Sequence, residues 1–418
     1  MSYILAVIYL ALVLLRPQEF VTFLDASNIL AIVLFLSFVF WAMSSNKLVK
    51  SPQLYMLIGL FVSMMLSHAA NGWLGGSVSI FWKILPSLLI FIILSSVVNT
   101  EKKFKLILAL FTAIMVYLVL HGIDQKENFV GWTGATLSQG TRITYLGIFN
   151  DPNDLAQLFV ASLPFMYYMS RQQSNLILKY FYLFALFFSL YGIYLTQSRG
   201  GLIAVSVMYM VYLYFTKGAK KTLLLSAVFI VLLGYLSGRI VDIDPGEESA
   251  FERIEAWYAA IQMFKSHLIF GIGAGSFLDH YIRTAHNSFY LVLAETGIVG
   301  FFFWITMISH SLRACYAAFS VRLADMDDSD YKKNLTNKAS FAVFLSLTGY
   351  IAASFFLSRS YNVFLFILCS FSVVVYYLET GNELMKNQGL QIRKSIIITL
   401  SLALLIYLST LVLIRLGS

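Results

Sequence analysis

The chain has 418 residues, 59% hydrophobic and 12% charged, with a formal net charge of +8 and a mean hydropathy of +0.78. This balance lies outside the range of soluble domains and makes the chain an integral membrane protein. The excess of cations is read below as membrane topology and not as a nucleic-acid surface.

Crossing a hydrocarbon core of about 30 Å takes roughly 20 apolar residues in helix, and backbone groups in lipid must pair within the chain. The expected fold is all-α and polytopic, a single transmembrane domain over 1–418 with about 12–13 spans. The candidate runs are 3–15, 28–43, 52–70, 77–97, 106–121, 154–169, 176–196, 200–215, 222–238, 287–310, 340–357, 361–378 and 395–414. No basic segment precedes the first run and no Ala-x-Ala site follows it, so it is expected to be a retained span. Cys315 and Cys369 lie near or within spans and are poor candidates for a disulfide or a metal site.

Charge tests the alternation of spans. The even-numbered gaps carry 18 Lys and Arg, 14 of them Lys; the odd gaps and the C-terminus carry 10, of which 8 are Arg. The positive-inside rule then places the N-terminus and the even gaps in the cytoplasm. The planar fork of Arg suits phosphate and carboxylate oxygens, so the outer face is expected to hold an anion.

Taken in chain order, the first outer gap opens with Arg16-Pro17-Gln18-Glu19, and Lys83 is a lone cation inside the fourth run. The outer loop 122–153, expected to be periplasmic, is rich in Gly, Thr, Ser and Asn, includes Arg142, and ends in Gly147-Ile148-Phe149-Asn150-Asp151-Pro152-Asn153-Asp154. Locally this is an Asp-Pro turn in which Asp151 or Asn153 caps the next helix, and a helix start also attracts anions. Thr196-Gln197-Ser198-Arg199-Gly200-Gly201 is a tight outer turn; its glycines serve the reversal, whereas a turn does not need Arg199.

The main outer loop, 239–286, runs from Asp242, Asp244, Glu247 and Glu248 into a segment where Ile254, Trp257, Tyr258 and Ile261 recur at helical spacing. It is expected to be an amphipathic helix on the periplasmic surface or over the bundle. Gly271-Ile272-Gly273-Ala274-Gly275 follows no strand, which excludes a dinucleotide loop and leaves a flexible turn. Thr284-Ala285-His286-Asn287-Ser288 then opens an apolar helix carrying Glu295, Gly297 and Gly300. A histidine at a helix start is often only a cap, but His286 lies between Arg283 and Asn287, and a neutral imidazole can accept a hydroxyl proton. No His or carboxylate pair has ligand spacing, so no metal is expected.

Gly147 to Asn153, Thr196 to Gly201, Arg253 to Trp257, Gly271 to Phe277, and Ala285-His286-Asn287 with Glu295-Thr296-Gly297-Ile298-Val299-Gly300 resemble, in this order and sidedness, the O-antigen ligase and Wzy-type polymerase superfamily of bacterial envelopes. The resemblance implies a GT-C-like glycosyltransferase of the bacterial inner membrane that needs no metal or other cofactor. It would move a glycan from undecaprenyl diphosphate to a hydroxyl of another glycan, of lipid A core or of a protein, on the periplasmic face. His286 would activate the hydroxyl with Asn287 in support. Arg199 and Arg253, with Arg142 and Arg283, would hold the diphosphate, and Asn150, Asn153, Gly271, Gly273, Glu295 and Gly297 would shape the site. Membrane lipid and other polysaccharide-assembly proteins are the further partners implied.

Protein O-oligosaccharyltransferases of the superfamily usually carry an extra C-terminal region, and here about four residues follow the last run, so ligation and polymerisation are the activities expected. The Arg16 to Glu19 segment resembles members from exopolysaccharide loci and favours polymerisation. A membrane transporter of a small anion or an ion-coupled solute is the other reading, with Lys83, Asp154 and Glu295 lining a path. Against it, the polar residues gather on one face, whereas transporters show paired broken helices at the midplane.

Overall fold

The structure, a computed structural model, describes residues 1–21, 28–45, 48–226, 248–321, 334–381 and 391–417. Its helices are α1 (Ser2–Leu15), α2 (Ile29–Ala42), α3 (Pro52–Ala70), α4 (Leu74–Val97), α5 (Glu101–Asn128), α6 (Pro152–Arg171), α7 (Leu176–Thr196), α8 (Arg199–Lys217), α9 (Glu248–Ser266), α10 (Phe277–His280), α11 (Ser288–Val321), α12 (Ala339–Ser354), α13 (Val363–Thr380) and α14 (Ile392–Gly417). Every apolar run except 222–238 falls on one of them; that run lies outside the described residues beyond 226, as do Asp242, Asp244 and Glu247.

The protein is an all-α polytopic membrane protein. Among the described residues, eight helices are long and apolar enough to cross a membrane: α3, α4, α5, α7, α8, α11, α13 and α14. Three shorter apolar helices, α1, α2 and α12, accompany them. The outward faces of α2, α7 and α14 expose Phe35, Ile177, Phe187 and Leu405, as surfaces solvated by lipid do.

The helix at the centre, α6, is less apolar than these and is buried along nearly its whole length. Polar side chains tie it to α12: the Gln157 amide donates to the Tyr350 carbonyl (3.1 Å) and to Ser354 Oγ (2.8 Å), and Ser346 Oγ donates to the Ala161 carbonyl (2.5 Å). With no hydrophobic drive between helices in lipid, such bonds and close packing hold the bundle.

The longest helix is broken. In α11, Gly297 has φ 61 and ψ −164, a region open in practice to glycine alone. A break at membrane depth frees backbone groups that water cannot satisfy, and the chain leaving α9 supplies the partners. Ile272 and Gly273 N–H donate to the carbonyls of Ala294 and Glu295 (both 3.0 Å), while Ile298 and Val299 N–H donate to Leu268 and Ile269 (2.9 and 3.2 Å). The 271–275 segment is therefore not the flexible turn expected. Residues 271–274 are buried, and the end of α3 clamps them: Asn71 Nδ2 donates to the Gly271 carbonyl (2.8 Å), Ala274 N donates to Ser67 Oγ (2.9 Å) and His68 Nε2 bonds the Ala274 carbonyl (2.9 Å).

Alternate gaps collect at opposite ends of the bundle. At one end Lys105 reaches Gln172 (3.0 Å), which donates to the Asn337 carbonyl (3.1 Å). At the other end the segments 142–154, 196–201, 271–287 and 355–362 meet. Helix α5 continues to Asn128, past the apolar run, and shortens the first loop of that end.

A Cβ at Gly297 would lie 2.4 Å from the Ile269 carbonyl oxygen, so Gly297→Ala combines left-handed strain with a clash against backbone. It is expected to cost more than about 3 kcal/mol and to abolish monodisperse protein in detergent. Gly72→Ala, at φ +77 with open space around it, is expected to cost only about 1–2 kcal/mol. Size-exclusion profiles and melting curves of the two variants check this; equal behaviour would remove the break from the fold's requirements.

Candidate active site

His286 stands in the turn that enters α11, at φ 46, a strained value for a residue with a Cβ. The turn is pinned on both sides. After it, Asn287 Oδ1 accepts from Phe289 N (3.0 Å) and caps the helix. Before it, Trp257 Nε1 on α9 donates to the Ala285 carbonyl (2.8 Å), and the indole stacks on Tyr290 at 5.1 Å. Ser288 Oγ donates to the Leu357 carbonyl (2.6 Å) and accepts from Arg359 N (3.1 Å), and Thr284 Oγ1 donates to Ser358 Oγ. The turn between α12 and α13 is thereby locked against the His286 turn.

Two cavities meet there. A main chamber of about 530 Å³ is bounded by Tyr9 of α1, Lys83 of α4, Asp151 and Asp154 of α6, Glu295 of α11 and the 357–362 segment. A side chamber of about 290 Å³ is formed by Glu252, Arg253, Arg283, Thr284 and His286. Thr284 and His286 line both. The combined space is that of a small-molecule site.

The charges are distributed unevenly. In the side chamber Arg283 pairs with Glu252, and Arg253 stands beside it. In the main chamber Arg359 Nε and Nη2 reach Asp154 Oδ2 at 2.6 and 2.5 Å. Burial lowers the pKa of His286 below its ordinary 6.5, and the positive charges of Arg253 and Arg283 lower it further against the opposing pull of Asp151. This favours the neutral imidazole, the state in which it can accept a proton.

The remaining residues singled out from sequence divide into two groups. Arg142 bridges the two outer turns: Nε donates to the Thr196 carbonyl (2.9 Å) and Nη2 to Asn153 Oδ1 (2.8 Å), which also accepts from Ser198 Oγ (2.7 Å). Arg199 begins α8 just after the Ser198 cap. Neither Arg142 nor Arg199 is among the residues lining the two chambers. Asp151 caps α6 by accepting from Asn153 N (2.7 Å), and Asn150, exposed, ends the short turn Gly147–Phe149. A Cβ on Gly147 would meet the Arg16 guanidinium at 2.3 Å, so Arg16, paired with Glu19, packs against this loop.

Gly271, Gly273 and Gly297 serve the helix break. Asn287 is fully buried, and its amide nitrogen has no well-formed hydrogen bond; its visible work is to cap the helix beside His286. Arg359 was missed as a site residue. The signal was available: Ser358-Arg359-Ser360 in a short outer gap repeats the Ser198-Arg199-Gly200 pattern, and a charge at the bilayer end of a span needs a partner. Lys83, a cation within an apolar run, belongs to the main chamber.

Among the described residues, no group of three or more His, Cys, Asp or Glu is placed to hold a metal ion. No curated protein matches the chain. The family model described as O-antigen ligase, Wzy_C, matches residues 184–305. The matched stretch includes the Arg199 turn, Arg253, the 271–275 patch, His286 and the break at Gly297, and over it the chain is similar to the O-antigen ligase family.

Proposed function

We propose that the protein transfers a glycan from undecaprenyl diphosphate to a hydroxyl acceptor at the periplasmic face of the bacterial inner membrane, with His286 as general base. The observation that carries this is the position of His286, which lines two chambers of different charge at once. The side chamber, with Arg253 and Arg283, suits the diphosphate, and the main chamber takes the acceptor.

His286 removes the proton of the acceptor hydroxyl, whose oxygen bonds to the anomeric carbon. The bond from that carbon to the diphosphate oxygen breaks with its electron pair, and the cations at the leaving group lower the barrier. Attack opposite the leaving group inverts the anomeric centre. Lys83, Asp154 and Glu295, the residues of the transport reading, line the main chamber together; the transfer reading is preferred because the carbonyls at the helix break already accept from Ile272 and Gly273. The exopolysaccharide-like Arg16 to Glu19 segment favours polymerisation over ligation.

Sidedness is tested with single cysteines in a chain whose buried Cys315 and Cys369 are replaced. An impermeant maleimide should label Ile282→Cys and not Lys220→Cys in intact cells, and the opposite pattern would overturn the assignment. His286→Ala should lower transfer about 10²- to 10⁴-fold with little change in melting, assayed with and without EDTA. Near wild-type transfer by this variant would exclude the base, and loss of wild-type activity in EDTA would demand a metal.

A base with a lowered pKa stays neutral as the pH falls, until that pKa is reached. The acid limb of kcat/KM should therefore have its midpoint below 6.5, the ordinary value for histidine. A midpoint above 6.5 would be incompatible with His286 as base. Arg253→Lys keeps the charge and loses the planar fork, so it should reduce kcat/KM about 10-fold or more; wild-type kinetics would assign Arg253 to packing.

A further inference from the structure

The main chamber contains two buried carboxylates, each with one oxygen that lacks a well-formed hydrogen bond. Glu295 is 2% exposed and Asp154 is 3% exposed. Glu295 Oε1 accepts from Phe277 N (3.3 Å), but Oε2 has no well-formed hydrogen bond. Asp154 Oδ2 is held by Arg359, whereas Oδ1 has none. The hydroxyl of Tyr361 lies against the Glu295 carboxyl and is a donor to it. All three residues line the one cavity. A buried polar oxygen left without a well-formed hydrogen bond costs about 1–3 kcal/mol, more if charged, so a cavity with two such carboxylate oxygens gains from donors on what enters it.

Charge narrows the class of donor. Arg359 is committed to Asp154, leaving Lys83 against Glu295 and Asp151 in the chamber wall. A guest carrying phosphate or carboxylate would meet two carboxylates that its own charge repels. A neutral sugar offers several hydroxyls in a rigid ring, each able to donate to a carboxylate oxygen and to accept from Lys83.

We infer that Glu295 and Asp154 form an acceptor subsite for a neutral, hydroxyl-bearing sugar, one that excludes uronic acids and the phosphorylated sugars of a lipid A core. This rests on the transfer reading above and adds to it the chemical class of the acceptor. Glu295 and Asp154 are specificity residues here; the proton leaves through His286.

The probe is the lipid-linked glycan that accumulates in cells lacking the protein, supplied to purified wild-type protein together with the cells' own membrane acceptors. Linkage analysis of the product identifies the sugar bearing the new glycosidic oxygen. A neutral hexose or hexosamine is expected; a uronic acid, a phosphorylated core sugar or a protein hydroxyl would overturn the subsite and leave the transferase standing. If the deletion changes no lipid-linked glycan, the transferase reading falls and the subsite with it.

Glu295→Gln, which preserves size and the capacity to accept from Phe277 N, should raise the half-saturating acceptor concentration about 10-fold without moving the acid limb set by His286. Unchanged saturation in a variant that melts like the wild type would also overturn the subsite. If that variant fails to fold, linkage analysis of the wild-type product still decides.

Discussion

The fold depends on four backbone hydrogen bonds across the break in α11. A helix interrupted at Gly297 inside a bilayer would leave the carbonyls of Ala294 and Glu295 and the amides of Ile298 and Val299 without water to turn to. The 268–273 segment supplies all four partners at 2.9 to 3.2 Å. Where it lies closest to the helix it has no side chain: at Gly271 a Cβ would fall 2.3 Å from the Glu295 carbonyl carbon. The same bonds fix where the chain emerges, and so where the His286 turn and the Glu295 carboxyl stand relative to each other.

Much of the architecture was legible because lipid imposes strict rules. Apolar run length located the helices, and the split between Lys-rich and Arg-rich gaps separated the ends of the bundle that the structure brings together. The limits were equally physical. α6 is interior on all sides and so carries Gln157 and Asp154 where a lipid-facing helix would not, and its role as the central post could not be read from hydropathy. The glycines of 271–275 looked like flexibility, because a sequence shows the freedom a glycine has and not the neighbour that uses it up.

The site was readable in part for the same reason. His286, Arg253 and Arg283 lie within one stretch of chain and converge as their order suggests. Arg359 and Lys83 reach the cavity from distant helices, through α12–α13 and α4, and only tertiary packing reveals them. Arg142 and Arg199 illustrate the converse: both are outer arginines in motifs, yet Arg142 is bonded to Thr196 and Asn153, bracing two turns beside the chamber. Charge statistics sort such cations by gap, whereas their partners emerge only from the packing.

One contact links the surface of the protein to its chemistry. Trp257 sits on α9, a helix that packs on α11 and α14, and its single indole N–H holds the carbonyl of the residue just before His286. The left-handed backbone of that histidine is a stored tension, and the indole is one of the few restraints that keep it loaded. Any displacement of α9 against α11 and α14 would therefore reach the His286 turn first through this one indole.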